Sequence, residues 1–272
     1  MRLHAARLYR TVAAGTFRRY STYRAATIAG VFTNTVFGFI MAYTYLALWN
    51  VRPHLGGYTA SDALTYVFIG QSLFAVVAVF GGGATDDMIG RIRSGDISVD
   101  LYRPVDLQTW WLATDLGRAA FQFLARGIPP TVVGALAFHL SLPSDPLVWL
   151  AFLLSAFLGL LVSFSVRYLV ALSGFWLIDT SGTQAAAGIL GMFFSGQLLP
   201  LNIFPGALKQ IAMLLPWAGM QQLPIDVLLR TTASLGGLGG VLALQVTWAA
   251  VLLALGRLVT ATAVRKVVFQ GG

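Results

Sequence analysis

The chain has no cysteine, no glutamate and only two lysines among its 272 residues. Without cysteine there is no disulfide and no thiolate-bound metal. The two lysines, Lys209 and Lys266, are followed by Gln210 and Val267. A GxxxxGK[ST] phosphate-binding loop needs Ser or Thr after its lysine, so none can exist here. If ATP drives this protein, another polypeptide binds it. Charge is scarce as well. Charged residues make up 10% of the chain, against about 25% in ordinary soluble domains. That is too little to coat a soluble body of this size. Three histidines, His4, His54 and His139, stand apart from one another with no metal-ligand spacing, and read as ordinary histidines near interfaces. No GxSxG nucleophile elbow is present. These absences argue against an enzyme and against a resident metal or cofactor.

What is abundant is apolar. Hydrophobic residues make up 57% of the chain, and the mean hydropathy is +0.75. A bilayer crossing needs about 20 apolar residues. Uncharged stretches run over 25–51, 63–85, 127–144, 146–166, 180–208 and 231–256. They predict an all-α polytopic membrane protein with six transmembrane helices, 1–272 forming a single transmembrane domain. Pro129 and Pro130 should kink or delay the third crossing. The net charge of +8 would suit nucleic acid, but the basic residues cluster at the ends of apolar stretches instead. Arg2, Arg7, Arg10, Arg18, Arg19 and Arg24 precede the first stretch. Arg91, Arg93, Arg103 and Arg118 follow the second, and Arg265 and Lys266 follow the last. In a six-span chain all of these lie on one side, which makes both termini cytoplasmic. Residues 1–24 have no continuous apolar core and are not a cleavable signal. At 100° per residue Ala6, Tyr9, Val12, Ala13, Phe17 and Tyr20 form one stripe. This predicts an amphipathic interfacial helix on the inner leaflet, in contact with membrane lipids.

The linker 84–117 holds six of the ten acidic residues, Asp86, Asp87, Asp96, Asp100, Asp106 and Asp115. Gly90, Gly95 and Pro104 punctuate it. The segment DDMIGRIR could extend the second crossing. Ile97, Leu101 and Val105, about one turn apart, suit a short helix with one buried face. Trp110 and Trp111 suit the membrane interface. Connections are usually about 4–6 residues, so a linker this long implies a cytoplasmic docking partner.

Few polar groups fall inside the crossings. Arg126 should snorkel to the inner interface. Arg167 and Asp179, either side of an uncharged stretch, should pair near the inner surface. Asn34, Gln71, Thr183, Gln184 and Gln197 suit interhelical hydrogen bonds or a substrate path, with Phe37, Phe74 and Phe194 beside them. Gly182, Gly188, Gly191 and Gly196 favour close packing across a protomer interface. Residues 198–230 are divided by Pro200, Pro205, Pro216 and Pro224. The pieces GALKQIAML and IDVLL are too short to span, and predict an outer re-entrant helical hairpin between spans five and six. Trp217 marks the outer interface.

Three segments carry a resemblance: IRSGDISVDLYRP at 92–104, FWLIDTSG at 175–182, and SGQLLPLNIFP at 195–205 with LLP at 214–216. The closing Gly271-Gly272 adds to it. The chain resembles the permease subunits of type-2 ABC exporters, the ABC-2 class, and within it the branch of viologen and multidrug exporters whose two different permeases pair. One departure is visible: Asp86 and Asp87 stand where family members commonly carry Glu. The resemblance implies a bacterial plasma membrane location and no nucleic-acid partner. It also implies two copies of a cytoplasmic ABC ATPase, which carry the ATP and Mg, and a second permease, either a sister subunit or a second copy. Residues 91–104 would act as a coupling helix, with Asp86, Asp87, Arg91, Ile92, Arg93, Gly95, Asp96, Ile97, Leu101, Arg103 and Pro104 facing the ATPase. Hydrophobic or amphipathic substrate would leave the cytoplasm. The alternative is a structural subunit with no path of its own. A lipid-modifying enzyme would need a membrane-embedded carboxylate or His cluster, and a secondary transporter inverted repeats; the sequence has neither.

Overall fold

The structure, a computed structural model, describes residues 2–78, 83–177 and 179–266. Every regular element among these residues is helical. In chain order they are α1 (Arg2–Ser21), α2 (Arg24–Val51), α3 (Ala60–Val77), α4 (Ala84–Ser94), α5 (Ile97–Leu101) and α6 (Leu107–Gln122), then α7 (Ile128–Ala137), α8 (Pro146–Leu172), α9 (Ser181–Phe194), α10 (Gly206–Leu214), α11 (Gln222–Leu229) and α12 (Gly237–Ala263). Gly271-Gly272 lies outside the described residues.

Aspartates in the loops start several helices. Asp62 and Thr59 form a reciprocal capping box at the start of α3. The Asp106 carboxylate accepts the Thr109 N–H at 2.8 Å, and that of Asp145 accepts the Leu147 N–H at 2.9 Å with Pro146 in the first turn. Among the described residues four helices, α2, α3, α8 with its short continuation to Phe175, and α12, are each long and apolar enough to cross a membrane.

The other two expected crossings take different forms. α6 and α7 are joined by a π-turn over Phe123–Gly127, with helical backbone angles on both sides. Pro129 and Pro130 have no N–H to give, and they fall just after this turn, where the ladder is already rearranged. Ser72 donates to the Gly127 carbonyl at 2.6 Å. The prolines therefore do not delay the helix, which begins at Leu107. α9 has only 14 residues, because the chain turns at Gly196. There φ is +86°, and an added Cβ would stand 2.2 Å from the Tyr66 hydroxyl. Gly196 thus serves a turn held tightly against Tyr66 of α3 and Gln222 of α11, Gly182 touches nothing within the chain, and Gly188 and Gly191 are buried on α9.

The bundle has two ends with separate cores. At the linker end Met88, Ile97, Leu107, Trp111, Phe164, Tyr168 and Leu172 pack together. At the far end Tyr45, Trp49, Tyr58, Tyr66, Phe152 and Ile225 do. Trp111 is therefore a core residue, not an interface anchor, and only Trp110 stays half-exposed. The segment DDMIGRIR forms α4, a helix of its own after the left-handed Ala78 that ends α3.

α1 has the predicted stripe, but the stripe faces protein. Tyr9, Val12, Ala13, Phe17 and Tyr20 are half-buried, while Ala6 is exposed. The helix crosses α6 so closely that a Cβ on Gly117 would lie 2.1 Å from the Ala13 carbonyl oxygen. Phe17 packs edge-on to Phe121 at 5.6 Å. The pieces GALKQIAML and IDVLL fall in α10 and α11, and α11 is buried from Gln222 to Leu228.

Candidate functional site

The linker end carries a cleft of about 760 Å³ between α1, α4, α5 and the start of α6. Its walls are charged: Arg19, Asp86, Asp87, Arg91, Asp96 and Arg103 all reach it, with Trp110 on one side. Two sets of interactions shape it. Arg19 on α1 pairs with Asp87 on α4 at 2.9 Å, across the cleft mouth. Arg91 on α4 grips Asp100 on α5 through Nε at 2.6 Å and Nη2 at 3.1 Å. Arg103 adds a contact to Asp100 at 3.3 Å and lies 4.9 Å from the centre of the Trp110 ring. Bidentate geometry to a buried carboxylate fixes α5 against α4.

The predicted coupling residues divide between the outside and the inside of this unit. Arg93, Gly95, Asp96, Arg103 and Pro104 are exposed. Gly95 is the sharp turn between α4 and α5, at φ +85° with open space around it. Ile97 is buried, Leu101 is half-buried, and Ile92 packs near Gly174, so these three hold the linker to the bundle. Three further linker residues lie outside the set expected to face the ATPase. Asp100 is the buried anchor, and Val99 on α5 and Tyr102 just after it are exposed at 54% and 75%. Val99 and Tyr102 fall between the apolar positions Ile97, Leu101 and Val105, so the same periodicity, read for its opposite face, would have found them.

Behind the cleft lies a buried ion cluster. Asp115 on α6 is fully buried and receives two guanidinium groups. Arg118 Nε donates to it at 2.7 Å, and Arg167 Nη2 from α8 donates at 2.7 Å. The remaining donors are also used. Arg118 donates to the Ala75 and Val76 carbonyls at 2.7 and 2.6 Å, where α3 ends. Arg167 reaches Thr85 on α4 and Ser163, each at 3.3 Å. Ser163 donates in turn to the Val77 carbonyl. One cluster thus ties α4 to the ends or middles of α3, α6 and α8. The expected Arg167–Asp179 pair does not form. Asp179 is exposed and accepts from the Ser181 side chain and N–H at 2.5 and 3.0 Å, which hold its carboxyl below the usual carboxylate range.

The candidate path residues fall in separate places. Gln71 and Gln197 meet near Gln221, Tyr45 and Tyr66, around a cavity with space for barely one water. Thr183 and Gln184 bond back to Thr180 at the start of α9. Phe194 packs on Trp217 at 6.1 Å. Asn34 is buried on α2, Phe37 is exposed and Phe74 is half-buried.

A family model described as ABC-2 family transporter protein matches residues 31–271. Searches of curated proteins and of solved structures returned no significant match.

Proposed function

Since the chain belongs to the ABC-2 transporter family, we propose that this multi-pass membrane protein is the permease of an ABC exporter whose ATPase is a separate subunit. The observation that carries the reading is the cleft at the linker end, backed by the Asp115 cluster. A partner pushing on the exposed α4–α5 turn moves a unit whose buried anchors, Ile97, Asp100 and Thr85, lead directly to α3, α6 and α8. In this reading ATP and Mg belong to the partner, since the chain has no phosphate-binding loop.

In this reading the six crossings are α2, α3, the α6–α7 helix, α8, α9 and α12. The linker end is cytoplasmic, and α10 and α11 form the outer hairpin. Two ATPases serve a pair of permeases, either two copies or this chain with a sister. The substrate is hydrophobic or amphipathic. Its route runs between the two permeases, and the space beside Gln71 and Gln197 is too small to carry it.

The test is purification of the tagged chain from its native membrane, with a soluble ATPase expected to co-purify. Gly95→Trp, which puts a bulky side chain on the exposed turn, and Arg103→Glu should each abolish transport by at least tenfold, with membrane insertion unchanged. Normal transport in both variants would sink the coupling role of residues 91–104.

A further inference from the structure

We propose that Arg126 and Asn34 form a binding site for an oxyanion carried at the depth of the inner half of the membrane. The π-turn over Phe123–Gly127 brings Arg126 against α2, at Gly30. Its guanidinium fills the notch left by that glycine: Nε, Cζ and Nη2 lie 2.3, 2.4 and 2.6 Å from where a Cβ would stand. Arg118 and Arg167 are both spent on Asp115, but Arg126 has no such partner. Among the described residues no ion pair joins it to a carboxylate, and its buried Nε has no hydrogen-bond acceptor.

A second donor is stranded one turn further along the same face of α2. Asn34 follows Gly30 by one turn on the buried face of α2, is only 4% exposed, and its Nδ2 is without an acceptor. Gln122, one turn before Arg126, leaves its Oε1 unpartnered as well, so that carboxamide does not satisfy the guanidinium. Two unsatisfied donors, one of them a cation, call for an acceptor that carries negative charge. A cation inside a membrane segment without a protein partner marks a ligand site more readily than a packing contact. Gly30 lies six residues into α2 from Arg24, about 9 Å along the axis. Arg126 is half-buried, so a ligand can reach it.

The ligand chemistry is a phosphate- or carboxylate-type group, borne by an anionic lipid or amphiphile or arriving as a free ion. The site rests on the proposed orientation for its leaflet, but its test needs neither ATPase nor transport. A negative result there would leave the permease reading intact. The full-length chain in detergent is titrated with phosphatidylglycerol and with phosphatidylcholine, and bound lipid is counted by native mass spectrometry. The wild type should hold one phosphatidylglycerol at least tenfold more tightly than phosphatidylcholine. Arg126→Gln should lose that preference. Gly30→Ala should lose it too, since it evicts the guanidinium while keeping the charge. Arg24→Gln, a charge change at the start of α2, should not. Displacement of the lipid by millimolar inorganic phosphate would identify the free anion as the ligand, and retention would identify the amphiphile. Equal preference for phosphatidylglycerol in wild type, Arg126→Gln and Gly30→Ala would overturn the site.

Discussion

Asp115 and Asp226 are the most deeply buried carboxylates at the two ends of the bundle, and they are neutralised in opposite ways. Asp115, at the linker end, is met by two guanidinium groups that are themselves buried. Asp226, at the far end, makes no ion pair among the described residues, and Lys209 acts on it only from a distance. It accepts from neutral donors: Tyr58, Gln222 Nε2 at 2.9 Å, Thr231 at 2.8 Å and Asn202 at 3.2 Å. Burial pushes its carboxyl up to about 6 despite those hydrogen bonds. The difference matches what the proposed function asks of each end. An ion cluster spanning α3, α4, α6 and α8 binds several helices into one body able to transmit a push. A web of neutral hydrogen bonds around α11 instead locks a stretch that the prolines leave without a long helix.

The sharpest test removes each charge without changing shape. Asp115→Asn leaves two buried guanidinium groups facing an amide, and breaking a buried pair costs about 3–5 kcal/mol. Asp226→Asn strands fewer groups, at a cost of about 1–3 kcal/mol. Thermal unfolding of the detergent-purified variants should rank them in that order; equal losses would erase the contrast. The second variant also carries a pH signature. An unfolded chain releases the Asp226 proton near pH 4, and the folded chain releases it near 6. The stability held by the protonated carboxyl is thus fully present below about pH 4 and is lost as pH rises through 6. Wild type minus Asp226→Asn should fall across that window. A flat difference would show that Asp226 ionises normally.

Much of this organisation was legible in the sequence, but not its pairings. Proline spacing located α10 at GALKQIAML, and the Ile97–Leu101 spacing located α5, because both signals are local backbone rules. The linker itself stood out by length and acid content. The partner of Arg167 could not be read. Asp179 is its nearer carboxylate in sequence, yet Ser181 satisfies Asp179 within its own turn, and the packing of α6 on α8 delivers Asp115 instead. The extent of the third helix was hidden for a related reason. A π-turn has no composition signature, and the Ser72 hydroxyl that supports it comes from another helix. The apolar stripe on α1 is plain in the sequence, but periodicity alone cannot distinguish a lipid neighbour from α6.

The smallest expected effect sharpens the same comparison at the surface. Arg91 and Arg230 both pair with an aspartate, one at each end. Arg91 grips Asp100, whose side chain is only 4% exposed, whereas Arg230 meets Asp145 at 3.0 Å with side chains 60% and 43% exposed. Exposed pairs contribute about 0–1 kcal/mol, since solvent screens them and two long side chains must be held still. Arg230 also ends α11 in a left-handed conformation at φ +59°, which disfavours any residue with a Cβ. Arg230→Gly therefore loses a weak ion pair and relieves that strain, and its melting temperature should stay within about 2 °C of wild type or rise. A marked fall would mean that the far end, too, depends on a charge pair, and the contrast drawn from Asp115 and Asp226 would hold only for the interior.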